Sequence, residues 1–342
     1  MKIGTRYVGE GYDPLVIAEI GINHNGSIKI AKEMVDSAKR AGVEVIKHQT
    51  HVIDDEMSKY AKNVIPGNAD ISIYEIMKQS ALSEKDEIEL KRYVEEQGMI
   101  FLSTPFSRAA ADRLEKMNVS AYKIGSGECN NYPLIEHIAN FGKPMIVSTG
   151  MNDIKSIKKT VKILEQCNID YALLHTTNLY PTSPEQVRLL CLDELKNEFP
   201  NAVIGLSDHT LNINSSIAGL TLGAKIIERH FVDHKERKGP DVLCSCDEKE
   251  MTELIKASKE IPLMLKGGKI SLPEEQVTID FAFATIVSIK PIKKGDILTY
   301  DNLWVKRPGN KGLKAEHLKN IMGKRAKIDI DNDEHIEDWM IQ

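Results

Sequence analysis

The sequence predicts an α/β protein in which a (β/α)8 barrel, the TIM-barrel class, precedes a small β-rich domain. Eight short apolar runs rich in β-branched residues alternate with amphipathic stretches over the first part of the 342-residue chain, as in consecutive parallel βαβ units. Their extent of roughly 250 residues fits a closed barrel better than an open doubly wound sheet. From Phe281 onward the pattern changes to short β runs separated by turns. The predicted domains are therefore 1–266 for the barrel, 267–280 for a linker and 281–342 for the second domain.

Each predicted strand is a short apolar run that ends near polar residues. Amphipathic helical stretches follow most of these runs, for example from 154 to 166 and from 185 to 199. The interval 50–83 is long for a βα connection, and long loops at the C-terminal ends of barrel strands usually shape active sites. We therefore expect it to be a functional loop. The predicted strands lie at 15–20, 43–49, 99–104, 121–126, 144–149, 171–177, 202–207 and 224–231.

The composition is that of an ordinary soluble globular protein, with 42% hydrophobic and 28% charged residues. Lys and Arg total 45 against 50 Asp and Glu, and such a balanced chain has no global attraction for nucleic acid or an anionic membrane. No stretch reaches the ~20 apolar residues of a membrane span, and the first residues lack the apolar run of a secretory signal. The five cysteines form no CxxC pair, which is typical of reduced thiols. We expect a cytoplasmic protein that binds neither nucleic acid nor membranes.

Charged and polar residues occupy the last inward-facing positions of several predicted strands. Alternate residues of a barrel strand face inward, and barrel active sites lie at the C-terminal ends of the strands. One inward charge would suit a structural ion pair equally well, but charges that converge from several strands predict an active site. By the opposite parity, His48 is expected to pack outward against the helices. The inward positions that carry functional groups are Glu19, Lys47, Gln49, Lys123, Ser207, His209, Glu228 and His230.

Lys47 and Lys123 are cations suited to a carboxylate or a phosphate. The segments KIGSGE (123–128) and VSTG (147–150) add hydroxyl and backbone N–H donors, which are typical of phosphate-binding loops. The alternative makes Lys123 a Schiff-base lysine, as in barrel aldolases. The neighbouring hydroxyls and the second lysine favour anion binding.

His209 and His230 end the seventh and eighth predicted strands. Because neighbouring strands lie about 4.8 Å apart, the two imidazoles can share one divalent ion. Two protein ligands leave positions open for water and substrate, as catalytic metals require. The alternative is a histidine pair that orients the substrate without a metal.

Several long motifs distinguish this chain, among them AEIGINHNG (18–26), KHQT (47–50), IPGNADISIYEIM (65–77), AYKIGSGECNNYPL (121–134), IGLSDHT (204–210) and NLWVKRPGN (302–310). They resemble the motifs of the sialic acid synthase (N-acetylneuraminate synthase) family. The resemblance runs through nearly the whole chain, and the β-rich tail looks like that family's antifreeze-like (SAF) domain. Motifs of this length are more specific for the family than for the individual sugar.

The resemblance implies an enzyme that condenses phosphoenolpyruvate with N-acetylmannosamine and water, giving N-acetylneuraminate and phosphate. It implies a divalent metal at His209 and His230, most commonly Mn²⁺ and otherwise Mg²⁺ or Co²⁺. It also implies a domain-swapped homodimer, in which Phe281 and Arg307 reach the N-acetyl end of the sugar in the other subunit. The residues implied to hold phosphoenolpyruvate are Lys47, Asn68, Thr104, Lys123, Ser126, Ser148, Asn178 and Ser207. Those implied around the sugar and the reacting carbons are Glu19, Gln49, Glu128, Tyr180 and Asp241, with Glu19 or Glu128 as the base.

Two departures and two alternatives accompany this resemblance. FAFAT (281–285) stands where many relatives are arginine-rich, and Thr176 stands where cysteine is usual. A synthase for another nonulosonic acid, such as legionaminic or pseudaminic acid, would use the same barrel, although IPGNADISIYEIM and ECNNYPL favour N-acetylmannosamine as the sugar. A non-catalytic carbohydrate-binding protein would not need the intact set of lysines, glutamates and histidines.

Overall fold

The computed structural model of the chain describes residues 1–66 and 70–342. These divide into two compact units, Met1–Lys266 and Gly267–Gln342. The first unit contains one eight-stranded parallel sheet, in the spatial order β3-β2-β1-β8-β7-β6-β5-β4. Its strands are β1 (Leu15–Glu19), β2 (Val45–Thr50), β3 (Ile100–Pro105), β4 (Tyr122–Ile124), β5 (Met145–Ser148), β6 (Tyr171–Thr176), β7 (Val203–Asp208) and β8 (Ile226–His230).

The sheet curls into a nearly closed barrel. The last strand, β8, pairs with the first, β1, so that His230 lies opposite Glu19. Within the described residues, β3 and β4 share no hydrogen-bonded ladder. The predicted barrel class and all eight predicted strands are confirmed.

Helices follow the strands and cover the outside of the barrel. Most begin at a side chain that accepts a hydrogen bond from the first turn, as Ser27 does from Ile30 and Asp153 from Ser156. The stretch 185–199, predicted as one helix, is instead two short helices, because Arg188 adopts a left-handed backbone with φ 53°. The outer helices are Ile28–Ala41, Glu84–Glu96, Arg108–Lys116, Tyr132–Ala139, Ile154–Gln166, Pro184–Val187, Cys191–Glu198, Asn214–Thr221 and Glu248–Met264.

The barrel interior changes from apolar to polar along the strands. Its N-terminal half is filled by side chains such as Ile17, Val45 and Ile226, and the N-terminal hairpin adds Ile3 and Val8. One step further along each strand, the same inward face presents charged or hydroxyl groups. Apolar side chains therefore fill the N-terminal end of the barrel, and polar side chains line its C-terminal end.

The long interval 50–83 contains two helices, Ile53–Glu56 and Ile73–Ser80, and a 3-10 turn at Lys59–Asn63. Asn68, one of the predicted site residues, lies outside the described residues. Helix Ile73–Ser80 places its side chains toward the polar end of the barrel, as described below.

The second unit contains a small antiparallel sheet, in which Thr285–Ser288 pairs with Leu303–Lys306. Its core includes Ile286, Leu303 and Ile336. The predicted linker contains a 3-10 turn, Pro273–Glu275, and most of a helix, Gln276–Ala282. A short helix, Leu318–Ile321, completes the unit. In neither unit do the described residues form a helix long and apolar enough to cross a membrane.

Asp208 and Arg229 form a buried ion pair on the outer face of β7 and β8, with Arg229 Nη1 2.8 Å from Asp208 Oδ2. The Asp208 carboxylate also accepts from the backbone N–H of Thr210 and from the hydroxyls of Ser215 and Ser216. Burial would raise the pKa of Asp208, but Arg229 and these donors hold it below its ordinary value. The pair thus fixes the strand ends that carry His209 and His230.

Asp208→Ala should lower the free energy of unfolding by about 3–5 kcal/mol, because it leaves the Arg229 guanidinium buried without its counter-charge. Urea denaturation of the full chain measures this loss. Because the folded pKa of Asp208 lies below the unfolded one, its contribution is complete above the unfolded pKa and disappears as pH falls through the folded pKa. The matched control is Glu198→Ala, which breaks an exposed pair with Lys158 and should cost less than about 1 kcal/mol. Equal losses in the two variants would contradict the prediction.

Candidate active site

A pocket of about 350 Å³ opens at the C-terminal ends of the barrel strands. Its floor comes from the inward strand residues, and Ile73, Ile76 and Met77 of the long β2–β3 connection form part of its wall. The connection predicted to be functional therefore lines this pocket. The predicted site residues that line it are Lys47, Gln49, Thr104, Lys123, Ser126, Ser148, Asn178, Tyr180, Ser207, His209, His230 and Asp241.

Two buried ammonium groups lie on one side of the pocket. Lys123 Nζ donates to Ser148 Oγ at 2.6 Å and to the Ile124 carbonyl at 3.0 Å. Lys47 Nζ donates to Thr104 Oγ1 at 3.3 Å and forms an ion pair with Glu19. Each lysine is thus paired with a hydroxyl that also faces the pocket, an arrangement suited to the oxygens of an anion.

The backbone approaches closely beside these lysines at Gly150. A Cβ at this position would lie 1.8 Å from Asn178 Oδ1, so a larger residue would displace the Asn178 amide. The Gly150 N–H donates to Ser126 Oγ at 3.1 Å. Among the described residues, Asn178 Oδ1 has no hydrogen-bond donor. The polar atoms around Gly150 therefore face the pocket with bonding capacity left for a ligand.

Glu228 lines the pocket with the two lysines and opposes their charge. Its Oε1 accepts from Ser207 Oγ at 3.0 Å and lies 3.6 Å from Lys123 Nζ. Burial alone would raise the pKa of Glu228, but Lys123 and Lys47 hold it below its ordinary value. Burial lowers the pKa of Lys123 and lowers that of Lys47 to about 7, while Glu228 partly opposes both shifts. A bound anion would therefore favour the charged form of Lys47.

His209 and His230 lie side by side, with ring centroids 5.3 Å apart. Burial lowers the pKa of His209 to about 4, and burial together with His209 and Lys47 lowers that of His230 well below its ordinary value. Both rings are therefore neutral at pH 7. His209 Nδ1 donates to the Thr177 carbonyl at 3.0 Å, which leaves Nε2 with a free lone pair. Tyr180 stacks on His209 at 4.2 Å.

These two neutral imidazoles fit a divalent cation. His230 Nδ1 is buried and accepts no hydrogen bond from the described residues, and Asp241 Oδ2 lies 3.8 Å from it. Burial raises the pKa of Asp241 to about 6, with Lys47 opposing the shift. In the described parts of the chain, no group of three or more His, Cys, Asp and Glu side chains is arranged to hold a metal. Any cation here would thus take its other ligands from water or substrate.

The remaining predicted site residues lie elsewhere. Glu19 is buried and forms an ion pair with Lys47, but it is not among the side chains that line the pocket. Glu128 is half-buried outside the lining set, and its carboxylate accepts from Asn131 at 2.6 Å. Phe281 and Arg307 belong to the second unit, where both are exposed.

For two features of the site, the sequence predicted the position but not the contacts. Glu228 was predicted to face inward, but only the structure shows its contact with Lys123 and Ser207. Helix Ile73–Ser80 and Phe106 form part of the pocket wall. They lie outside the strands, so side-chain alternation could not predict which of their residues face the pocket. His48 packs outward as predicted and contacts Glu87 of an outer helix.

A sequence model of the NeuB family matches residues 34–270, which is more than half of the chain. The chain belongs to the NeuB family. A model of the SAF domain matches residues 284–341, within the second unit. The resemblance noted in the sequence is thereby confirmed for both units.

Named relatives of this NeuB-family chain make related sugars. The N,N'-diacetyllegionaminic acid synthase of Campylobacter jejuni is 34% identical over 95% of this chain and 99% of its own. The human N-acetylneuraminate-9-phosphate synthase is 32% identical over 98% of this chain and 95% of its own. The crystal structure of the N-acetylneuraminic acid synthetase of Leptospira borgpetersenii, with citrate, superposes with a TM-score of 0.74 at 26% identity, covering 82% of this chain and 94% of that one. These relatives are synthases of sialic and other nonulosonic acids.

Proposed function

We propose that this chain condenses phosphoenolpyruvate with N-acetylmannosamine and water to give N-acetylneuraminate and phosphate. The observation that carries the proposal is one pocket lined by two buried lysines with hydroxyl partners and by two neutral histidines. The first pair suits the anionic substrate, and the second suits a divalent cation. The family membership and the sialic acid synthase relatives support the same reaction.

Lys47 and Lys123 would bind the phosphate and carboxylate of phosphoenolpyruvate and hold its C3 against the aldehyde carbon of the open-chain sugar. The double-bond electrons of phosphoenolpyruvate form the new carbon–carbon bond as the π electrons of the aldehyde move onto its oxygen, and C2 becomes positively charged. His209 and His230 would hold the divalent metal. When bound, this metal supplies a Lewis acid for the aldehyde oxygen.

Glu19 is the proposed base for the water that then attacks C2. Neither carboxylate lines the pocket itself, but that of Glu19 is paired with the pocket-lining Lys47, whereas that of Glu128 is bonded to Asn131. The water oxygen bonds to C2 as its proton passes to the base. The hydroxyl on C2 then loses its proton and becomes the ketone oxygen as the bond between C2 and the phosphate oxygen breaks, and phosphate leaves with the bonding electrons. Of the two protons of the water, one ends on the former aldehyde oxygen and one on phosphate.

Phosphate release from phosphoenolpyruvate, assayed with a panel of sugars, tests this function. The panel contains N-acetylmannosamine, its 6-phosphate and 2,4-diacetamido sugars. We expect the highest kcat/KM with N-acetylmannosamine, and bridging ¹⁸O of phosphoenolpyruvate should leave with the phosphate. The second candidate, a legionaminic acid synthase, is favoured by the Campylobacter jejuni relative and would prefer a diacetamido sugar. Label retained in the sugar acid, or no phosphate release with any sugar, would contradict a synthase of this class.

We also propose that two chains form a domain-swapped homodimer in the cytoplasm, with Arg307 of each SAF domain at the other subunit's sugar site. This rests on the family resemblance and on the exposure of Phe281 and Arg307 in the second unit. If Arg307 of one chain completes the sugar site of the other chain, two different inactive variants should complement each other in a mixed dimer.

Inactive Lys47→Ala and Arg307→Ala chains should recover activity when they exchange subunits. Each heterodimer then contains one barrel with Lys47 and the other chain's Arg307 intact, so complete exchange should restore about a quarter of native activity. Phosphate release measures the recovery, and native mass spectrometry measures the exchange. Mixtures kept below the exchange temperature are the control. Demonstrated exchange without recovery would place Arg307 in its own chain's site or away from both.

A further inference from the structure

A line of polar side chains runs from the active site into the β2–β3 connection. Gln49 Nε2 donates to Glu19 Oε1 at 3.2 Å. On the other side of the same amide, Gln49 Oε1 lies 3.2 Å from His51 Nε2. His51 Nδ1 in turn lies 2.8 Å from Glu56 Oε2. The line therefore joins the Glu19–Lys47 ion pair to helix Ile53–Glu56.

The chemistry of these groups fixes the direction of each bond near the pocket. An ionised carboxylate only accepts hydrogen bonds, so the NH₂ group of Gln49 must face Glu19. The Gln49 carbonyl oxygen consequently faces His51 and needs a donor, which is the Nε2–H of the imidazole. By the same rule the Glu56 carboxylate needs a donor, so in this line His51 carries a proton on both ring nitrogens, and its Nδ1–H donates to Glu56, which fixes the orientation of the ring. Without the His51 donor, the Gln49 carbonyl oxygen would have no partner in this line, and Glu19 alone would hold the amide.

Packing leaves these groups little freedom. His51 is 5% exposed, and its ring stacks on Phe106 with centroids 4.5 Å apart and planes at 11°. At Gly21, a Cβ would lie 2.2 Å from Glu19 Oε1 and 2.7 Å from Gln49 Nε2. The backbone thus covers the contact between Gln49 and Glu19 directly. Gln49 and Phe106 line the pocket, whereas His51 and Glu56 lie behind them.

We propose that His51, oriented by Glu56, is a positioning residue for the synthase reaction. Its Nε2–H orients the Gln49 amide, and Gln49 holds the Glu19 carboxylate beside Lys47 at the reacting end of the pocket. The expected effect on kinetics rests on the proposed function, because Glu19 is the proposed base. The structural claim, that His51 holds Gln49 against Glu19, is independent of the proposed function.

His51→Phe and His51→Gln test the role. Phenylalanine keeps the stack on Phe106 and removes both ring nitrogens, whereas glutamine returns an amide donor near the position of Nε2. We expect His51→Phe to lower kcat about tenfold with little change in the KM for phosphoenolpyruvate, the pattern of a lost transition-state interaction. His51→Gln should restore kcat to within about threefold of the native value. Tyr74→Phe, which removes a contact to Asp54 in the same connection, is the matched control and should leave both constants unchanged.

Crystal structures of the same variants give a readout that needs no activity. The 3.2 Å contact between Gln49 Nε2 and Glu19 Oε1 should be lost in His51→Phe and kept in His51→Gln. If His51→Phe does not fold, Glu56→Leu tests the same line from its outer end and should also displace the Gln49 amide. Native kcat in His51→Phe, or an unchanged Gln49–Glu19 contact, would overturn the role of His51. A native chain that is inactive with every sugar would overturn the proposed function alone, and the crystal structures would still decide whether His51 positions Gln49.

Discussion

Lys123→Met should lower phosphate release from phosphoenolpyruvate by about 1000-fold or more, equivalent to about 4 kcal/mol of transition-state stabilisation. Methionine nearly keeps the length and volume of the side chain but removes its charge and its donors. The native Lys123 side chain is 2% exposed, and its ammonium group donates to Ser148 and pairs with Glu228, so water cannot replace it. Its loss also leaves Glu228 with less opposing charge, and the pKa of that carboxyl should rise. Both effects weaken the site for an anion.

Steady-state kinetics and calorimetric titration with phosphoenolpyruvate measure these changes. Lys143→Met, which breaks a pair with Glu115 outside the barrel, is the matched control and should keep kcat/KM within about twofold. The Schiff-base alternative makes a different prediction, since borohydride and pyruvate would then add mass at Lys123. Such an adduct, or tight phosphoenolpyruvate binding by Lys123→Met, would contradict the anion-binding role.

The sequence was sufficient for the inward strand residues because side-chain alternation is a local property of a strand. Ile17 and Glu19 of β1 share one face, and Val45 and Lys47 of β2 share the corresponding face. When the sheet closes into a barrel, these faces all point inward, so no knowledge of tertiary contacts is needed to predict them. The parity of His48 likewise predicted its outward position, where it contacts Glu87.

Other features depend on contacts that no local pattern encodes. The break in the predicted helix 185–199 arises from a left-handed Arg188, a conformation for which glycine would have been the usual sign. The position of Glu128 outside the pocket lining depends on the short turn that follows β4. The line from Gln49 to Glu56 requires the β2–β3 connection to fold back on the barrel. Motif resemblance could name such residues but could not supply their contacts.

Removal of divalent metal should abolish turnover, and Mn²⁺, Mg²⁺ or Co²⁺ should restore it at least in part. His209→Ala and His230→Ala should each lower kcat/KM by about 1000-fold or more, since a Lewis acid contributes several kcal/mol to the transition state. The physical basis is the pair of imidazoles that burial keeps neutral, with ring centroids 5.3 Å apart. Each variant should also bind Mn²⁺ more weakly when titrated without substrate, with the metal followed by electron paramagnetic resonance.

His137→Ala is the matched control, because His137 is paired with Asp112 on the outside of the barrel. It should leave both Mn²⁺ binding and kcat/KM unchanged. Thermal unfolding of all three variants separates loss of a ligand from loss of fold. Full turnover after exhaustive chelation would contradict the metal requirement. The histidines would then be hydrogen-bonding groups that orient the sugar, and His209→Gln should keep much of the activity. If the metal is required, the loss of activity in His209→Gln should be accompanied by weaker Mn²⁺ binding, because an amide oxygen then replaces the imidazole nitrogen as the ligand.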